Sequence, residues 1–180
     1  RNFKYEDKVS GQTKNTKYAV IGMASLNGKH PLFADALNEK GLACAGLNFP
    51  AAYWKKETVE GMNNIPPYDL ILWITSNFES LEELRPHLDK LNIVGKTYDE
   101  KTPLPTLHWM VTDKSGKSLV IEQTKEGLRI FDNPVGVMTN APSFDWHLVN
   151  LTQYTGLTTS RPDTHKWSDL ELVTLGNGSG

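Results

Sequence analysis

Apolar and polar positions change their spacing several times along the chain, and each change marks a different kind of element. Lys4 to Lys17 is polar and charged with little periodicity, which predicts a loop or a weakly ordered edge. Tyr18 to Ala24 reads as the first strand. Leu42 to Phe49 is small and apolar, bounded by Gly41 and interrupted by Gly46, a composition that suits a strand buried on both faces. Asn38-Glu-Lys-Gly41 supplies the turn before it. Ala52 to Pro67 is irregular, and Tyr68 to Asn77 returns to helical spacing through Leu70, Leu72, Trp73 and Ile74. Ser80 with Glu83 forms a capping box, behind which Leu81, Leu84, Leu88 and Leu91 recur at helical intervals; Pro86 should kink this helix or shorten it. From Thr106 the period drops to two. Leu107–Thr112, Ser118–Thr124 and Leu128–Asp132 are predicted strands, joined by turns at Asp113-Lys-Ser-Gly116 and Lys125-Glu-Gly127 into an antiparallel meander. Gly136 to Thr139 predicts a further strand, and Phe144 to Thr155 a helix stopped by Gly156. Helices in blocks beside antiparallel strands give an α+β layered fold.

Length and charge narrow the class. The 180 residues are enough for one domain over 1–180, which buries about 70% of the surface its unfolded chain exposes. Nineteen basic and 21 acidic side chains are interspersed, so the net charge of −2 gives no polyanion-binding surface and no expectation of nucleic acid. The longest apolar runs, such as Leu70 to Thr75, are too short to cross a bilayer. A single cysteine excludes an internal disulfide or a multi-cysteine metal site and fits a reducing cytoplasm. The chain opens on Arg1 and closes on Leu175-Gly-Asn-Gly-Ser-Gly180, which reads as an excerpt of a longer protein; a trimmed domain with a glycine/serine linker is the alternative.

Candidate chemistry is sparse at the level of single residues. Cys44 lies among Leu42, Ala43, Ala45 and Gly46 with no nearby cation to lower its pKa, so it reads as a buried, inert thiol. His30, His87, His108, His147 and His165 lack the short spacings of metal sites; they read as surface or packing residues, and no metal is expected. Trp109, Trp146 and Phe144 suit core or pocket walls equally, and Glu122, Asp132 and Asp145 show no acid/base spacing. Two asparagines differ from the rest. Asn48 precedes Phe49-Pro50 and Asn140 precedes Ala141-Pro142, so each ends a predicted strand where a proline stops the ladder. A neutral amide at a strand end can donate to developing negative charge without titrating, although an asparagine before a proline turn is also an ordinary turn residue. No phosphate loop or Gly-x-Ser-x-Gly elbow is present.

Taken together, Asn38-Glu-Lys-Gly-Leu-Ala-Cys-Ala-Gly-Leu-Asn-Phe-Pro50, Leu107-His-Trp109, Val120-Ile-Glu122, Asp132-Asn-Pro-Val-Gly-Val-Met-Thr-Asn140, Pro142-Ser-Phe-Asp-Trp146 and the glycine-rich end resemble the choloylglycine hydrolase family, in order and over nearly the whole chain. The resemblance implies the αββα four-layer sandwich of the N-terminal nucleophile hydrolases, incomplete here at both ends. It implies hydrolysis of a linear amide without metal or organic cofactor by a cysteine freed as residue one, whose α-amino group serves as the base. Asn48 in Gly-Leu-Asn-Phe-Pro is similar to the bile salt hydrolase branch, where penicillin V acylases carry tyrosine, which implies glycine- or taurine-conjugated bile salts as substrate.

By the same resemblance, Asn48 offers its backbone N–H and Asn140 its side-chain amide to the oxyanion. The spacing from Arg1 to Tyr18-Ala-Val-Ile-Gly22 makes Arg1 structural; the nucleophile and an early arginine and aspartate then precede it, a late arginine follows Gly180, and the 180 residues alone are expected to be inactive. Met23, Phe33, Ala34, Leu104 and Leu107 resemble the loops that receive the steroid, with core packing an equal reading of each. The family implies a homotetramer for the full-length protein. Two rival readings are a penicillin V acylase or other linear-amide hydrolase, and a non-catalytic domain that keeps the fold and binds an apolar ligand.

Overall fold

The computed structural model describes residues 3–157, 159 and 163–172, so Arg1 and the end from Leu175 to Gly180 lie outside the described residues. The described residues group into two compact units that divide between Phe144 and Asp145. The first begins with a hairpin where the sequence predicts a loop: β1 (Lys4–Glu6) pairs antiparallel with β2 (Thr13–Asn15). Periodicity misses this hairpin because its strands are three residues long and bury one aromatic side chain, Tyr5, while polar side-chain bonds shape its turn. The buried Asp7 carboxylate accepts from Val9 N at 2.9 Å, Ser10 Oγ at 2.7 Å and Lys14 Nζ at 2.5 Å, while Gly11 takes φ +71°.

Six antiparallel strands form the main sheet. β3 (Val20–Asn27) pairs with β4 (His30–Asn38), β4 with β5 (Ala43–Asn48), and β5 crosses to the later strands. Between them come β6 (Asn63–Ile65), a 3-10 turn at Pro67–Asp69, α1 (Leu70–Asn77), α2 (Leu81–Leu88) and β7 (Leu91–Ile93), with β6 and β7 paired in parallel. β8 (Leu107–Thr112), β9 (Ser118–Thr124) and β10 (Gly127–Asp132) are the predicted meander, and the sheet order is β10-β9-β8-β5-β4-β3. The sequence gives no sign of β4, because a bulge breaks its alternation. Met23 faces Asp35 and Ala24 faces Phe33, which leaves Ala34 as the extra residue.

The helices cover one face of the sheet. Every residue of α1 from Leu70 to Ser76 is buried, and the helix packs on β4 and β5. Its close approach depends on Gly46: a Cβ there would sit 3.2 Å from Leu107 Cδ1 and 3.5 Å from Ile71 Cδ1. Ser80 caps α2 as predicted, its Oγ accepting from Glu83 N at 3.2 Å while Glu83 Oε2 accepts from Glu79 N, and the helix ends two residues after Pro86. The turn at Asn38 is tied to the helix layer by one buried side chain. Asn38 Nδ2 donates to Thr75 O at 2.9 Å and Phe78 O at 2.6 Å, and its Oδ1 accepts from Lys40 N and Leu42 N, each at 3.0 Å.

The opposite face carries the apolar side chains of Ile21 and Met23, 75% and 70% exposed, and toward β8 and β9 it is covered by the segment 133–143. That segment is not the predicted strand. Asn133 Oδ1 accepts from Val135 N and Gly136 N, and its Nδ2 donates to Val137 O, so side-chain bonds take the backbone groups a ladder would use. In the second unit, α3, which starts at the boundary (Phe144–Leu151), and a 3-10 turn at Thr152–Tyr154 give the expected helix up to Gly156; β11 (His165–Trp167) and β12 (Leu170–Leu172) form an exposed hairpin.

Candidate active site

β5 runs out at Asn48 because Pro50 has no N–H to extend the ladder, and the chain turns away after Phe49 N donates to Thr106 O at 2.8 Å. At this exposed strand end Asn140 arrives from 92 residues further on. Its Oδ1 accepts from Asn48 N at 3.0 Å, and Ala141 N donates to Asn48 O at 3.0 Å. Thr106 Oγ1 donates to Asn48 Oδ1 at 3.2 Å, which fixes that side chain as well. The two asparagines singled out in the sequence therefore meet. In this arrangement the Asn48 N–H donates to Asn140 rather than standing ready for a ligand.

Directly beneath the junction lies a buried pair that periodicity does not reveal. His108 on β8 and Glu122 on β9 are both fully buried, with Nδ1 2.8 Å from Oε1. His108 Nε2 is 3.0 Å from Thr139 O, and Glu122 Oε1 also accepts from Phe144 N at 2.8 Å. A carbonyl oxygen only accepts, so Nε2 carries a hydrogen. The Nδ1···Oε1 contact must then hold a second proton, and the pair is net neutral as imidazolium and carboxylate or as imidazole and carboxylic acid. Phe49 lies flat on the His108 ring, 4.6 Å away and 1° from parallel. Glu122 Oε2 is buried with no partner. The hairpin register could have found this pair: Thr112 faces Ser118 across the turn, so counting back sets His108 opposite Glu122.

The apolar candidates do not converge on one pocket. Met23 lies on the open sheet face beside Leu37, Ala45, Leu47, Met110 and Met138. Phe33 lines a separate depression with Val20, Pro31 and Leu72. Leu107 packs against the core next to Gly46, Ala34 is exposed at the bulge, and Leu104 is half-buried in the loop before β8. Cys44 is 2% exposed in the core between sheet and helices, where burial pushes its thiol well above the usual range and leaves it protonated and unreactive. Among the described residues, no three His, Cys, Asp or Glu side chains cluster as a metal site. No helix of the described residues is long and apolar enough to cross a membrane.

The model of a family of linear amide C–N hydrolases, the choloylglycine hydrolase family, matches residues 1–180. A bile salt hydrolase/transferase of Clostridium perfringens is 50% identical over 181 residues, covering 100% of this chain and 55% of its own length. Among solved structures, a variant of a conjugated bile acid hydrolase from the same organism superposes with a TM-score of 0.87 at 50% identity, over 100% of this chain and 55% of that one. A penicillin V acylase from Agrobacterium tumefaciens gives a TM-score of 0.65 at 23% identity, over 88% of this chain and 49% of that one, and shares the fold alone. The chain thus spans about half the length of the relatives it matches. The expected fold class holds: this is the α+β architecture of the αββα sandwich, of which the first unit supplies a sheet and its helix layer.

Proposed function

The chain belongs to the choloylglycine hydrolase family of linear amide C–N hydrolases, and on that premise we propose that its protein cleaves the amide between a bile acid and glycine or taurine. The observation that carries this reading is the meeting of Asn48 and Asn140 at the end of β5, in a chain half identical to a bile salt hydrolase/transferase. The nucleophile of this reading is an N-terminal cysteine outside the 180 residues, because Cys44, the chain's single cysteine, is buried and held protonated. Attack on the amide carbonyl puts negative charge on its oxygen. A half-turn of the Asn140 amide exchanges Oδ1 for Nδ2, releases the Asn48 N–H and presents two donors to that oxygen. Losing the bond from Asn48 N to Oδ1 costs about 1 kcal/mol, against the ~2.7–4 kcal/mol such a donor contributes to the transition state.

The steroid is received by apolar residues, among which Met23, Phe33, Ala34, Leu104 and Leu107 are the candidates. Since the structure spreads them over different surfaces, Met23 on the open sheet face has the strongest claim. The working form is a cytoplasmic homotetramer. Turnover of glycocholate, taurocholate and penicillin V by the intact protein tests the substrate assignment: a conjugated bile salt should be cleaved best, preference for penicillin V would move the protein to the acylase branch, and binding without cleavage of any of them would make it a binding domain. The 180 residues made alone should release no glycine from glycocholate.

A further inference from the structure

Between Thr139 and Phe144 the chain crosses the end of the sheet as a short strap, and both ends of the strap are tied to one buried pair. Thr139 O accepts from His108 Nε2 and Phe144 N donates to Glu122 Oε1, while Asn140 and Ala141 between them make the two bonds to Asn48. The pair is fixed in turn: His108 and Glu122 face each other across β8 and β9, Leu47 lies beside His108 across β5 and β8, and Phe49 covers the ring. A fully buried His–Glu pair is an expensive way to hold a loop unless the position of that loop matters. We propose that His108 and Glu122 are positioning residues for the oxyanion site: together they set the height and direction from which the Asn140 amide meets the Asn48 N–H. The proposal rests on the oxyanion reading of Asn48 and Asn140 for its catalytic consequence, but not for its structural one.

The hydrogen inventory makes the pair hard to replace. One carboxylate oxygen, Glu122 Oε1, serves both the Phe144 N–H and the His108 ring. Glutamine at 122 cannot do both. If its oxygen keeps Phe144 N and the Nδ1 hydrogen, His108, left without a counter-charge in a buried site, gives up its Nε2 proton and with it the bond to Thr139 O; if its NH2 turns to a neutral Nδ1, Phe144 N loses its acceptor. Either way one of the strap's two anchors is released, while the side-chain volume hardly changes.

Two measurements on the intact protein test this. The first is amide hydrogen exchange in wild type and Glu122→Gln. Exchange at Asn48 and over residues 139–144 should rise at least about tenfold while β3 and β4 keep their protection, since loss of one anchor opens the strap and not the sheet. Unchanged exchange at the strap, or a rise of equal size everywhere, would overturn the proposal. The second is a double-mutant cycle in glycocholate hydrolysis. Glu122→Gln should lower kcat by up to about 100-fold with KM nearly unchanged, the scale expected when a reacting group is displaced by about 1 Å. In an Asn140→Ala background the same change should have little further effect on kcat. Additive losses would mean the pair acts by some route other than Asn140 and would overturn the proposal. Should Glu122→Gln fail to fold, His108→Gln removes the same pairing from the other side and is read the same way. If wild type cleaves no bile salt, the substrate reading fails, and the exchange experiment still decides whether the pair sets the strap.

Discussion

Replacing Asn38 with alanine removes one side chain that joins the turn before β5 to the helix layer, and the structure sets the size of the loss. The residue is 3% exposed and makes four hydrogen bonds, two donated to Thr75 O and Phe78 O and two accepted from Lys40 N and Leu42 N. Lys40 is exposed, so its N–H can turn to water; Leu42 is fully buried, and the bonds to Thr75 O and Phe78 O are buried as well. Each buried polar group left unpaired costs about 1–3 kcal/mol, so the three together should destabilise by about 3–6 kcal/mol after partial relaxation. That is a large part of the roughly 5–15 kcal/mol by which a domain is stable. Urea unfolding of the intact protein, followed by tryptophan fluorescence, should show the midpoint falling with the slope unchanged. Asn38→Asp sharpens the test, because it keeps an acceptor for Lys40 and Leu42 but sets a carboxyl against two carbonyl oxygens. Burial and those dipoles raise its folded-state pKa above the unfolded value of about 3.9, so its stability should be greatest below that pH and fall as pH rises through the raised value. A loss under about 1 kcal/mol for Asn38→Ala, or no pH dependence for Asn38→Asp, would refute the hydrogen-bond reasoning.

Other expectations follow from the same structure. Burial alone would raise the Asp7 carboxyl, but hydrogen bonds from Lys14, Ser10 and Val9 outweigh it and hold its pKa below the usual range. Its contribution is therefore complete above the unfolded pKa of about 3.9 and is lost as pH falls through the lowered value; Asp7→Asn should flatten acid unfolding there, and an unchanged acid limb would contradict this. Iodoacetamide at pH 8 should leave Cys44 unmodified in the folded protein and alkylate it in urea, with mass spectrometry as the readout, since burial keeps the thiol protonated. Cys44→Ala should retain the hydrolytic activity of the intact protein, at a modest loss of about 1–2 kcal/mol in stability from the vacated volume.

What could be read in the sequence depended on whether local pattern or distant contact makes the element. The β8–β10 meander was legible because alternating residues separated by Gly116 and Gly127 turns specify both strands and register. The capped helix at Ser80 was legible for the same local reason. β4 was hidden by its bulge at Ala34, and the β1–β2 hairpin by strands of three residues each. The predicted strand at 136–139 failed because Asn133 and His108, one just before the segment and one on another strand, claim its backbone groups. At the site, Asn48 and Asn140 could be named from their positions before proline turns, and their meeting was expected only through the family resemblance. The His108–Glu122 pair leaves no local pattern, because a histidine and a carboxylate 14 residues apart meet only through the hairpin register.

The central claim is that Asn48 and Asn140 together stabilise the oxyanion of amide hydrolysis, and kcat for glycocholate in Asn140→Ala of the intact protein tests it most directly. Loss of one such donor should lower kcat about 10²–10³-fold with KM nearly unchanged. A kcat within a few-fold of wild type would contradict the claim.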